Sequence, residues 1–222
     1  MSERVVPVIS LKERTEEITQ QLVEAAETAG FFDLPPEVKR KTPHNNITNN
    51  SWEYKAQLRP SAGMYDQKES LWLQSRSEWP SDQDVPGFRE TTTNFMGKCA
   101  AISNRLLTCF AVALGFPSDY FCNANHVTLL FQRDDEDGLE ICPGRESPTS
   151  FAKGDVFSPL PAKTGQIVVN IGDILMAWSD DRLKSTFQRV RATDVGKSPS
   201  RFSIAYFNQG RKNFIRQGPL KK

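Results

Sequence analysis

Apolar residues recur at three- to four-residue intervals through Phe95, Cys99, Ile102, Leu106, Phe110 and Ala113, and Gly115 and Pro117 follow them. That spacing puts one stripe on a helix running from Thr91, and the glycine and proline close it. A second stretch of helical period, Ile18, Leu22, Ala25, Ala26 and Ala29, runs up to Gly30, and the β-branched run from Val5 to Ile9 before it predicts a strand. Pro35 and Pro36 open a short basic turn of helix, EVKRK. The segment HNNITNNSWEYKAQLRPSAG, from His44 to Gly63, is rich in Asn and turn formers and predicts a long ordered loop.

Beyond Val127 the period changes. The runs VTLLF, GLEIC, GQIVVNI, ILMAW, STFQRVRA and RFSIAYF are short and β-type, separated by Asp, Gly and Ser-Asp-Asp turn signals. Helices first and strands later, without βαβ alternation, predict an α+β fold with a sandwich or barrel-like sheet region rather than a doubly wound sheet. There is no internal repeat and no linker. The expected organisation is one structural unit, with residues 1–120 as a helical support region with its long loop and residues 121–222 as the sheet core.

Charge narrows the partners. With 28 basic against 27 acidic residues in a chain of 222, no polyanion-binding surface is indicated, so no nucleic-acid partner is expected. The apolar stretch from Leu106 to Phe116 is broken by Thr108 and Cys109 and is too short to span a bilayer, so no membrane partner is expected either. Charges flank the short apolar run of the N-terminus, which does not read as a secretory signal, and a cytoplasmic location is the expectation. Cys99, Cys109, Cys122 and Cys142 form no CxxC pair and the chain has only two histidines, so free thiols are expected rather than a zinc site.

PVISL, AAETAGFF, VTLLFQ, GLEICPGRE, GQIVVNIGDILMAWSDDRLKSTFQRVRA and SRFSIAYFNQ resemble, in order, consecutive motifs of the isopenicillin N synthase-like dioxygenases, which depend on 2-oxoglutarate and Fe(II). SWEYKAQLRP and DQKES are similar to segments of fungal members. The resemblance implies a double-stranded β-helix (jelly roll) with supporting N-terminal helices. It also implies an oxidoreductase of small-molecule or secondary metabolism acting on a small-molecule substrate. Its iron would be held by two imidazoles and a carboxylate, with 2-oxoglutarate beside it.

Set against that pattern, the iron ligands are missing. The family places an HxD motif just before the VTLLFQ strand, where this chain has Asn123, Ala124, Asn125 and His126, with Thr128 two places after the histidine. The second histidine belongs where Gln188 stands, and an amide oxygen is a weak ligand for a first-row metal. His126 as a relocated ligand ranks below a half-exposed polar residue at the start of a strand, and His44 ranks lower. No metal ligand is assigned, and Fe(II) is expected of the family but not of this chain.

The cosubstrate anchor persists. Arg201 and Ser203 stand two apart, so in a strand they share a face, and a guanidinium fork with a hydroxyl beside it suits the distal carboxylate of 2-oxoglutarate. Phe31 and Phe32 serve two family motifs at once, which together with the gap before Val127 implies a fold shortened by two block deletions. A missing strand-bearing block would open a sheet edge, so a homo-oligomer is expected. Three readings stand at this point: an enzyme with a restored metal site, a metal-free binding or regulatory protein or non-redox catalyst, and an inactive truncated product. Asp180 and Asp181 read as a hairpin tip, Asp134 to Asp137 as a solvated turn, and Trp52, Tyr54 and Lys55 as loop packing before a substrate mouth.

Overall fold

The computed structural model describes residues 30–59, 63–122, 126–133, 136–146, 156–163, 165–191 and 200–209. The strand expected at Val5–Ile9 and the helix expected from Ile18 to Ala29 lie outside them. The described residues up to Met96 belong to one compact unit and those from Gly97 onward to another.

In the first unit, Phe31–Asp33 make one 3-10 turn, and helix α1 (Pro36–Lys39) starts on a proline whose φ is preset for it. The segment expected to be a loop carries strands instead. Strand β1 (Ser51–Tyr54) pairs antiparallel with β4 (Glu69–Trp72), and β2 (Leu58–Arg59) pairs with β3 (Met64–Tyr65). Strands of four and two residues are too short to display an alternating pattern, and their pairing partners decide them. Trp52 and Leu71, opposite each other in β1 and β4, pack with Leu34, Leu73 and Trp79 around buried Phe31, Val85 and Phe88.

The sheet's acids are tied down. Glu53 accepts hydrogen bonds from Trp72 Nε1 at 3.0 Å and Gln57 Nε2 at 2.9 Å. Glu69 accepts one from Trp52 Nε1 at 2.6 Å and pairs with buried Lys39 at 2.8 Å.

The periodic helix is α2 (Phe88–Ala113), and it begins one turn before the expected Thr91. Gly115, with φ 80°, ends it, and Phe116 N–H reaches back to Ala111 O at 2.9 Å. Cys99 and Leu106 are buried as expected, but Ala113 is exposed. Ser103, Leu107 and Ala111, at four-residue steps, carry the stripe inward instead. Leu107 and Ala111 pack with Phe121, Val127, Leu175 and Trp178 to form the core of the second unit. No described helix is long and apolar enough to cross a membrane.

The strands of this unit are β5 (His126–Gln132), β6 (Leu139–Glu146), β7 (Ser158–Pro159), β8 (Val168–Ile171), β9 (Thr186–Val190) and β10 (Ser203–Gln209). They form two antiparallel three-stranded sheets, ordered β10-β5-β8 and β7-β6-β9. The chain alternates between the sheets, from β5 to β6 and β7, back to β8, across to β9 and back to β10. Pairing of strands distant in sequence in this way is the mark of a jelly roll, and the α+β expectation holds.

One expected strand is absent. ILMAW lies in helix α3 (Asp173–Trp178), which opens after an extended Gly172 and buries Leu175 and Trp178, three residues apart. A short apolar run does not distinguish a buried strand from a buried helical turn by periodicity. Asp180 and Asp181 therefore end a helix rather than tip a hairpin. Both adopt left-handed φ, 60° and 62°, and Asp181 N–H returns to Met176 O at 3.0 Å.

Candidate functional site

Register decides which side chains share a face. Ser203 lies opposite Gln132, Ala205 opposite Leu130 and Phe207 opposite Thr128. Thr128 in turn faces Asn170 on β8. Directly opposed residues project to the same side of the sheet, so these form one face. On the reverse face, Val127, Leu129 and Phe131 are buried, whereas Ser203, Ala205 and Phe207 are exposed. The sheet thus spends its apolar side on the core and leaves a mixed polar side at the anchor residues.

Arg201 stands two residues before β10, and Arg133 N–H to Phe202 O at 3.4 Å carries the ladder of β5 one step toward it. Its Nη2 donates to Gln132 Oε1 at 2.8 Å and its Nε to Glu136 O at 3.4 Å. Gln132 is the cross-strand partner of Ser203, so Arg201 bonds its side chain and Ser203 stands opposite it in the ladder. A guanidinium has more donors than these two contacts engage.

Glu136 completes the surroundings. Its carboxylate accepts the Phe202 N–H and pairs with Arg133 Nη2 at 2.6 Å, while the Arg133 guanidinium lies 4.7 Å from the centroid of the Phe202 ring. Gly138 has φ 131°, and a Cβ there would sit 2.9 Å from Arg191 O and 3.7 Å from Arg201 Cδ. Burial lowers the Arg201 guanidinium from its ordinary value, and the carboxylates of Glu136 and Asp137 oppose that shift. It remains a cation at neutral pH.

Gln132 and Glu136 escaped the sequence reading. Gln132 is the last residue of VTLLFQ, and only register reveals that it faces Ser203. Glu136 belonged to the acidic run expected to be a solvated turn, yet it is only partly exposed and bonded on two sides.

Of the positions weighed for iron, Gln188, His126 and His44 fall in separate segments of the chain. Gln188 is exposed on β9, opposite Ile141 in the other sheet. His126 opens β5 opposite Gln209. His44 belongs to the first unit, with its ring nitrogens 3.1 Å from Asn46 Oδ1 and 3.2 Å from Asn49 Oδ1. Asn123–Asn125 lie outside the described residues. Among the described residues, no group of three or more His, Cys, Asp or Glu side chains is placed to hold a metal ion. Of the loop aromatics, Trp52 is packed and hydrogen-bonded, while exposed Tyr54 carries Lys55 Nζ 5.2 Å from its ring centroid.

Known proteins share this arrangement of elements. Residues 112–210, which hold β5 to β10, match the 2OG-Fe(II) oxygenase superfamily. The chain is 30% identical to the proline hydroxylase buaE of Petromyces alliaceus over 233 residues, covering 82% of this chain and 70% of that protein. It is 27% identical to the 2-oxoglutarate-dependent dioxygenase frbA of a Dothideomycetidae species, covering 81% of this chain and 69% of that one. A full-length Neurospora crassa protein, solved in complex with alpha-KG, superposes with a TM-score of 0.73 at 23% identity, over 97% of this chain and 76% of its own. The jelly roll is therefore a shortened version of a known one, and the chain belongs to the 2OG-Fe(II) oxygenase superfamily.

Proposed function

We propose that this chain binds a small dicarboxylate of the 2-oxoglutarate type at Arg201 and does not assemble the iron site of its family. One observation carries the reading: the half-buried Arg201 guanidinium meets Gln132, whose cross-strand partner is Ser203. Arg201 supplies charge and a planar donor fork for one carboxylate, Ser203 a hydroxyl, and Gln132 fixes the guanidinium by accepting at Nη2. Such a site orients one end of a diacid.

The iron part of the reading rests on donor chemistry. An amide stands at 188, where the resemblance places the second histidine, and Thr128 rather than an acid stands two places after His126. Neither an amide nor a hydroxyl matches an imidazole or a carboxylate for Fe(II). Lost blocks fit the comparisons as well. The 233-residue span shared with the Petromyces alliaceus hydroxylase exceeds this entire 222-residue chain, so that relative carries residues within the span that have no counterpart here. No step of iron-dependent oxygenation is derived for these residues, and the chemistry left to the site is recognition.

Calorimetry with 2-oxoglutarate tests the anchor. Wild type is expected to bind in the millimolar range, and Arg201→Ala to lose roughly tenfold or more, since a charge-assisted contact is worth about 1.5–3 kcal/mol. Equal binding by the two proteins, or no binding by either, overturns the anchor. Anaerobic titration with Fe(II) tests the rest: neither wild type nor Gln188→His is expected to bind iron stoichiometrically. A tight one-to-one site in wild type refutes the metal-free reading.

A further inference from the structure

We infer that Glu136 is a resident counter-anion of the Arg201 site, a side chain that competes with an incoming carboxylate and sets how weakly the site binds it. The inference rests on the anchor reading above and concerns what limits it. Two guanidinium groups meet this one residue, one at its carboxylate and one at its main-chain oxygen. Arg133 pairs with its carboxylate through Nη2 at 2.6 Å, and Arg201 donates to its main-chain oxygen at 3.4 Å. The same carboxylate accepts the main-chain N–H of Phe202, the residue next to Arg201. The Glu136 carboxylate thus holds Arg133 and the backbone donor next to Arg201, partners that a ligand carboxylate would also seek.

The electrostatics agree with the geometry. Glu136 and Asp137 both act on the Arg201 cation through space, opposing the effect of its burial. A ligand carboxylate approaching Arg201 meets their repulsion, and Glu136 already occupies Arg133. A Cβ at Gly138 would meet the Arg201 stem at an ordinary contact distance of 3.7 Å, so the acidic turn runs directly beside that stem. Asp137 is held separately, by accepting the Ala162 N–H at 2.9 Å.

Glu136→Gln keeps an oxygen for the Phe202 N–H and removes the charge. This variant is expected to bind 2-oxoglutarate roughly three- to tenfold tighter than wild type, from loss of one nearby like charge in a partly solvated setting. Glu136→Asp, which keeps the charge, is expected to stay near wild type. Should Glu136→Gln disturb the turn, Asp137→Asn supplies a second arm, with a smaller gain in the same direction. The double variant Glu136→Gln, Arg201→Ala is expected to lose the gain entirely.

The outcomes separate the two ideas. If Arg201→Ala abolishes binding while Glu136→Gln and Asp137→Asn leave affinity unchanged or weaker, the counter-anion role is overturned and the anchor survives. If Glu136→Gln and the double variant bind alike, the anchor falls, and this inference with it.

Discussion

The two units use charged residues in opposite ways. In the β1–β4 sheet, Glu53 and Glu69 each accept an indole N–H and a second polar hydrogen, and Lys39 is buried against Glu69. Those groups are shielded and hold the strands together. Arg201 makes two contacts, at 2.8 and 3.4 Å, and Ser203 on the same face is exposed. A buried polar group whose partners are all protein is part of the scaffold, whereas a half-buried cation with donors to spare is available to a ligand.

The contrast breaks most readily at Glu53. Glu53→Ala leaves the Trp72 indole and the Gln57 amide without their acceptor and is expected to cost about 2–4 kcal/mol in urea unfolding. Arg201→Ala is expected to cost less than about 1 kcal/mol in the same assay while removing the ligand. Equal losses in the two proteins would erase the distinction.

A second test lies behind the sheet face. Burial pushes the Cys99 thiol up from 9.0 to about 12. Because the folded protein favours the neutral thiol, this contribution is complete below the ordinary value and is lost as pH rises toward 12. The thermal midpoint of wild type should therefore fall between pH 9 and 12 more steeply than that of Cys99→Ala. Parallel curves would show that the thiol does not contribute.

The smallest effect belongs to Ser203→Ala. Its exposed hydroxyl is expected to contribute only a two- to threefold change in diacid affinity, roughly a single weak hydrogen bond, with no change in stability. A loss as large as that of Arg201→Ala would make Ser203 the principal contact instead.

Local pattern carried much of this fold. The helix over Phe95–Phe110 and five of the six expected strands are where the local pattern puts them, because each is written within a single continuous segment. Three kinds of feature were not legible. Strands β1 to β4 are two to four residues long and depend on their pairing partners, and ILMAW is too short for its period to tell helix from strand. The third is register: Arg201 and Ser203 could be named from sequence, but Gln132 becomes part of the site only when β5 and β10 are aligned. Glu136 was hidden for a related reason, since an acidic run reads as solvated until something basic folds against it.

Gly138 gives the site an uneven mutational robustness. The turn beside Arg201 can be displaced through a residue that has no side chain, with every polar side chain around it unchanged. Any substitution there would need both an L-residue at φ 131° and a carbon 2.9 Å from Arg191 O, beside the Arg201 stem. Polar positions around the site can drift by degrees, each change trimming affinity. At Gly138 the smallest step available, a single methyl group, already collides with Arg191 O, so the backbone beside Arg201 would shift abruptly rather than by degrees.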